Sequence, residues 1–422
     1  MEAYAQALNI AVPIFILLIL IEEVAARIMG KPVNRGLDAI SSLSSGITNV
    51  VKDVLGLSIG IISYAWMVEH LAIFTIKATW LVFVLAFVAK DFAGYWTHRW
   101  EHEINFLWNR HIIHHSSEEY NLSCALRQSI SEIFRLFTFL LLPAAIIGIP
   151  TEVIAIIGPI QLFAQFWYHT RLIGKMGFLE KFLVTPSHHR VHHAMNKEYL
   201  DKNYGQIFII WDKIFGTFQP ELAEVPPVYG VKRPVHTWNP ILIGWQHFWL
   251  LATDAWRTRS WWDKLRIWFM HTGWRPADVA AKYPVQILED FQGFEKYDTH
   301  ASRALVAWSW VQLTVTLALM FWLFNQIAEI GMPGMLWYGA YLFVSIFSYT
   351  TLMDRSRWAV LTEAIRLGFG LALLWWQDGD WFGLGVVWPT GVYAFMTYSV
   401  LSFFMAFYFN GGIGFRKSFN LN

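Results

Sequence analysis

The chain has 422 residues, 55% of them hydrophobic and 15% charged, with a formal net charge of +1. Soluble domains carry about 25% charged residues, so this composition points to a polytopic membrane protein. The near-neutral balance argues against nucleic acid as a partner, and a single cysteine, Cys124, excludes an intrachain disulfide.

In chain order, apolar runs of about 20 residues predict membrane-spanning helices near 7–26, 46–67, 79–97, 131–149, 151–169, 304–325, 336–352, 358–376 and 383–408. The expected architecture is therefore all-α, with about nine transmembrane helices. The first run has no basic leader and no small-residue cleavage site, so it is read as a retained span. The second carries Lys52 and Asp53 inside it. The third runs straight into the first of several histidine motifs.

Ten of the fifteen histidines lie between residues 98 and 193. The motifs are His98-x3-His102, His111-x2-His114-His115, a single His169, and His188-His189-x2-His192-His193. Spacings of three and four put side chains on one helix face. Neutral imidazole is the commonest nitrogen ligand for iron, copper and zinc, and it is costly to bury without partners. Four ligands satisfy zinc, so nine or ten imidazoles are most simply explained by two metals. No CxxC suggests zinc–thiolate chemistry. Asp91, Glu103 and Asp212 are candidates to accept the outward imidazole N–H groups, and Glu103, beside His102, is also a candidate ligand. Glu101, Glu118 and Glu119 read as solvated charges. His70, His236, His247, His271 and His300 fit no motif and read as structural, with His236 and His247 the two that could line the site.

The region 171–303 is the one long non-spanning stretch. Eight of the 24 tryptophans fall between Trp238 and Trp274, interleaved with basic residues over 236–275. That suits helices lying in the headgroup layer, and equally an ordinary aromatic core. Basic residues orient the chain. Arg27, Lys31 and Arg35 follow the first span, Arg99, Arg110 and Arg127 the third, and Arg171, Lys175, Lys181 and Arg190 the fifth. Arg355 and Arg357 follow the seventh, and Arg416 and Lys417 the ninth; the alternate connections hold only Lys77. By the positive-inside rule the C-terminus is cytosolic. The run 131–170, interrupted by Pro150, would return to the side it left. All histidine motifs then meet in one cytosolic layer.

The motifs HxxxH, HxxHH and a final HxxHH resemble those of the fatty acid hydroxylase (sterol desaturase) superfamily of membrane di-iron enzymes. The strings DFAGYWTHRWEHEINFLWNRHIIHHSSEEYNLSCALRQS, QFWYHT, TPSHHRVHHAMN and IIWDKIFGTF are most similar to the branch that cleaves ether lipids. The resemblance is dense over residues 91–218. It implies that two iron ions (zinc being possible in a preparation) are held by His98, His102, His111, His114, His115, His169, His189, His192 and His193. It implies a catalytic role for Glu103 and a supporting one for His188. Some relatives have a histidine four residues before His169, where this chain has Gln165. The implied reaction uses O2 and tetrahydrobiopterin to hydroxylate the ether-bearing carbon of an alkylglycerol. The hemiacetal collapses to a fatty aldehyde and a glycerol derivative. The implied layout is a catalytic membrane domain over 1–303 followed by C-terminal helices over 304–422. The implied setting is an integral membrane protein, of the endoplasmic reticulum in a eukaryote or the inner (plasma) membrane in a bacterium.

No GxGxxG supports a built-in nicotinamide or flavin domain, and no cytochrome domain is evident, so the reductant is external. An alternative within the superfamily is a sterol, carotenoid or fatty-acyl hydroxylase or desaturase. A metal transporter or two-haem electron carrier is disfavoured. Transporters place ligands near the bilayer midplane, and haems need paired axial ligands rather than clustered imidazoles.

Overall fold

A computed structural model of the chain describes residues 2–291 and 293–411. Arg416 and Lys417, used above to orient the C-terminus, lie outside the described residues. Among the described residues, five helices are long and apolar enough to cross a membrane. They are α1 (Glu2–Ile28), α4 (Trp80–Glu103), α13 (Arg303–Asn325), α16 (Ala359–Trp376) and α18 (Gly391–Gly411). A further long helix, α15 (Gly334–Met353), is the centre of the C-terminal bundle, with fourteen of its twenty residues buried. It packs against α13, α16 and α2 (Gly36–Val54). Val51, Leu55, Leu323, Tyr338, Ile346 and Trp381 meet in that core.

A second apolar unit joins α3 (Tyr64–Leu71), α4, α6 (Leu142–Ile147) and α7 (Thr151–Phe166). Below it lies the histidine layer: α5 (Asn105–His115), α8 (Pro186–His193), α9 (Ile210–Phe215), α10 (Pro240–Arg257) and α11 (Trp261–Arg266). Short helices α12 (Ala277–Lys282), α14 (Ile327–Ile330) and α17 (Leu384–Val387) complete the set.

Three of the nine expected spans are not single helices: 383–408 divides into α17 and α18 at Trp388–Thr390, and two others are interrupted more deeply. The run 46–67 was expected to cross, yet α2 stops at Val54 and Gly56 turns with φ +67°. Its hydropathy hides a helix whose polar groups all find internal partners. Ser45 donates to the Gln128 carbonyl, Ser41 to that of Trp238, and Lys52 to those of Ser129 and Glu132. Asp38 pairs with Arg127 at 2.7 Å. The run 131–149 is broken as well. Strand β2 (Phe134–Arg135) pairs in parallel with β1 (Ile59–Gly60), and helix resumes only at Phe137, as a 3-10 turn over Phe137–Leu141 that leads into α6. Gly148 ends α6 at φ +89°, where a Cβ would lie 1.9 Å from the Phe74 carbonyl oxygen. A backbone approach that close, in the left-handed region, admits only glycine. The other arm, α7, has 16 residues, short of the ~20 that cross a ~30 Å core.

Candidate metal centre

At Ile104 the backbone becomes extended (φ −115°, ψ 122°), so α4 ends and α5 begins at the next residue, folded back beside it. Asn105 holds the bend: its amide donates to the carbonyls of Ile267 and Trp274 and accepts from Gly273 N. The third helix, α8, runs beside them. Nine histidines then gather into two groups, each with its ring nitrogens within 4.8 Å of one another. His98, His102, His111, His115 and His192 form one, and His114, His169, His189 and His193 the other. Adjacent residues on a helix differ by about 100°, so His114/His115 and His192/His193 turn to different groups. Both α5 and α8 thus serve both groups.

The outward ring nitrogens are tied to backbone carbonyls. His98 Nδ1 donates to Tyr204 (2.8 Å), His192 Nδ1 to Lys202 (3.0 Å), His114 Nδ1 to Arg127 (3.3 Å) and His169 Nδ1 to Gln165 (3.0 Å). A neutral imidazole with its proton on Nδ1 presents a lone pair at Nε2. Nε2 atoms of neighbouring rings face one another: His114 and His169 at 3.3 Å, His169 and His189 at 2.9 Å, His189 and His193 at 3.1 Å, and His98 and His111 at 3.0 Å. His114 and His169 both have Nδ1 committed to a carbonyl, so between them lone pair meets lone pair, which is repulsive unless a cation sits between them. Two imidazoles about 2.1 Å from one ion, 90–110° apart, place their nitrogens about 3.0–3.4 Å from each other. His102, His115 and His192 also have buried Nε2 atoms without a partner. The donor set therefore fits metal ions of the nitrogen-loving kind.

Burial and neighbouring imidazoles hold His111, His114, His115, His189, His192 and His193 well below 6.5, and burial takes His169 to about 3. At neutral pH these rings are uncharged, as ligands must be.

The carboxylates act differently from the simple expectation. Asp212 touches no imidazole. It accepts Tyr204 N, Gly205 N and Thr217 Oγ1, each at 2.7 Å. Asp91 accepts Ile207 N, Phe208 N and Trp211 Nε1. Together they clamp the loop whose Lys202 and Tyr204 carbonyls orient His192 and His98. Glu103 lies outside both groups, with its carboxylate on Arg99 at 2.9 Å. His188 also stays outside: its Nδ1 meets the Leu183 carbonyl and its ring meets Phe218. Glu101, Glu118 and Glu119 are not solvated. Glu101 Oε2 lies 3.6 Å from His111 Nδ1, Glu118 accepts Tyr297 N, and Glu119 pairs with Arg171 and Lys296. The partners of Glu118 and Glu119 come from segments far along the chain, which no local pattern reveals. Gln165 contributes through its carbonyl, on His169.

A cavity of about 410 Å3 adjoins the first group, with His102, His115, His192 and His193 in its wall. His247 and His271 line it too, whereas His236 is exposed. The sequence alone reads His247 and His271 both as structural, the former being one of the two that could line the site and the latter not. Trp108 and Leu251 supply apolar lining, and Lys232 and Arg233 supply charge.

Residues 83–217, which carry all nine histidines, match the family model described as fatty acid hydroxylase. Helical membrane architecture and clustered imidazoles thus define the class. The chain is 36% identical over 359 residues to the alkylglycerol monooxygenase of Homo sapiens, covering 84% of this chain and 80% of the relative. It is 35% identical to that of Xenopus tropicalis, covering 83% and 78%. The chain belongs to the alkylglycerol monooxygenase family. The ornithine lipid hydroxylase OlsE of Rhizobium tropici is 31% identical over 136 residues, 32% of this chain and 41% of the relative. No solved structure matches.

Proposed function

We propose that this chain is a membrane monooxygenase that hydroxylates the ether-bearing carbon of an alkylglycerol lipid. The observation that carries the reading is the convergence of nine imidazoles, five and four, beside a cavity in a chain of this family. Two iron ions held by the two groups would supply O2 activation when bound. One oxygen atom of O2 is inserted into the C–H bond next to the ether oxygen, which becomes C–OH. The second oxygen leaves as water, taking two protons and two electrons from an external donor, here reduced tetrahydrobiopterin. The hemiacetal then divides into a fatty aldehyde and a glycerol derivative.

The chain's own residues hold and shield this centre. The carbonyls of Lys202, Tyr204, Arg127 and Gln165 keep four imidazoles in the ligating tautomer. Tyr120 stacks near His169 and His193, and Trp108 covers His102 and His115, limiting water at the imidazoles. Glu103 acts at a distance, through Arg99, Tyr95 and Thr217 to Asp212.

The histidine layer faces the cytosol in this reading, supported by the basic residues gathered at its end. Nine crossings follow only if the broken segments 46–67 and 131–149 each traverse the membrane. The exposed Trp249, Trp256, Trp261 and Phe269 of the 236–275 segment support its lying in the headgroup layer. In this reading the catalytic unit is 1–303 and 304–422 is a second unit, whose described helices pack against α1 and α2.

Incubation with an alkylglycerol, reduced tetrahydrobiopterin and labelled O2, trapping the aldehyde quickly, tests the reaction. Label in the aldehyde is expected. An untouched ether alongside a hydroxylated sterol or fatty acyl chain would transfer the protein to another branch. Purified protein should hold two iron ions per chain, and His192→Ala should lower that number while exposed His300→Ala leaves it unchanged.

A further inference from the structure

We propose that Arg233 and Lys232 form an anion-recognising end of the cavity, so that the preferred ether lipid carries a phosphate on its glycerol. This rests on the ether-lipid reading and names the substrate class within it. Arg233 lines the cavity, and its Nη1 is buried without a hydrogen-bond partner. Neither Arg233 nor Lys232 forms an ion pair among the described residues, in contrast to the neighbouring Arg275. There, Asp254 accepts Nε at 2.5 Å and Nη2 at 3.0 Å, and the Tyr283 carbonyl accepts Nη1. Asp254, fully buried, is thus committed. The one carboxylate in the lining, Asp201, faces His271 Nε2 at 3.7 Å.

A buried guanidinium nitrogen with nothing to donate to is unfavourable, and so is a second guanidinium beside it. Burial and then Arg275 push Arg233 below its ordinary value, the Asp254 charge opposes them, and the guanidinium stays protonated at neutral pH. An anion arriving there would relieve both penalties, and a phosphate accepts a guanidinium fork in two-pronged fashion. His102, His115 and His192 of the five-histidine group form another part of the same wall. A glycerol phosphate seated at Arg233 would therefore hold its ether carbon within a cavity that the metal-binding rings border.

The test compares kcat/KM for an alkylglycerol phosphate and for the neutral alkylglycerol. It uses the wild type, Arg233→Gln, Arg233→Lys and the double variant Lys232→Gln/Arg233→Gln. The phosphate-to-neutral ratio should exceed one in the wild type and fall about tenfold to hundredfold in Arg233→Gln, the range for losing a charged hydrogen bond. Arg233→Lys should recover part of it. A ratio unmoved in the double variant overturns the proposal while the ether reading stands. If the wild type cleaves neither lipid, the ether reading fails and binding decides the subsite. In neutral detergent, a long-chain alkyl phosphate should bind more tightly than the matching alcohol, and Arg233→Gln should abolish the difference. Equal binding of the two overturns the anion site. Inorganic phosphate competing as strongly as the alkyl phosphate would mark a free-anion site and overturn the headgroup assignment.

Discussion

Asp212→Asn separates the two histidine groups. Asp212 is fully buried, and its three bonds of 2.7 Å hold the loop that presents the Lys202 and Tyr204 carbonyls. With an amide oxygen in the Oδ1 position, the Tyr204 and Thr217 bonds survive. The new NH2 then faces the Gly205 N–H, donor against donor. The lost charged hydrogen bond costs about 1.5–3 kcal/mol locally. Loosening the loop releases the carbonyls that orient His98 and His192, and both belong to the group of five. Loss of such an orienting partner lowers metal affinity about 10–100-fold. The group of four draws its orientation from Arg127 and Gln165, on other segments, and should be spared. Titrating the purified protein with a chelator while counting iron per chain reads this directly. One ion should leave at about 10–100-fold lower chelator activity and the other at the wild-type level, with helical circular dichroism unchanged. Both ions shifting together, or neither, would refute the reasoning.

Acidification should destabilise the protein through His247, whose Nε2 donates to the Asn105 carbonyl. Burial, then the nearby Arg233 charge, takes this imidazole from 6.5 to about 4. A depressed histidine stabilises fully above its unfolded value and loses that contribution as pH falls toward its folded one. Between pH 7.5 and 5.5 the loss is about 1 kcal/mol, and His247→Gln should lose less stability than wild type over that range by roughly that amount. In the C-terminal bundle, Glu363 and Arg366 pair at 2.8 Å with almost no exposure. Arg366→Leu should cost about 3–5 kcal/mol in thermal unfolding, and adding Glu363→Leu should restore much of it. A reporter in the 354–358 loop should read as cytosolic and one in 377–382 as non-cytosolic; the same compartment for both would remove α16 as a crossing.

The nine histidines were legible because ligand chemistry is written in residue type and helical spacing, and both are local. Long apolar helices such as α1 and α13 were legible for the same reason: a window of hydropathy sees length and composition. The broken runs 46–67 and 131–149 were not, since their averages conceal polar groups satisfied by distant partners. Ser45 needs Gln128, and Lys52 needs Glu132, before α2 makes sense as an internal helix. Glu101 misled for a related reason: its partners Arg110 and His111 face it only after the chain turns back at Ile104.

Sequence by itself determined which side chains could bind metal and which helices could meet lipid. Only the tertiary structure decided how the imidazoles divide, five and four, because that depends on helices α4, α5 and α8 meeting at set rotations. It also decided that backbone carbonyls, rather than carboxylates, orient His98, His114, His169 and His192. Every residue carries a carbonyl, so no pattern of side chains can mark the four that matter. The cavity charge belongs to the same class of fact. Lys232 and Arg233 are two ordinary basic residues in the chain, and only folding pairs Arg275 with Asp254 and leaves Arg233 Nη1 without a hydrogen-bond partner.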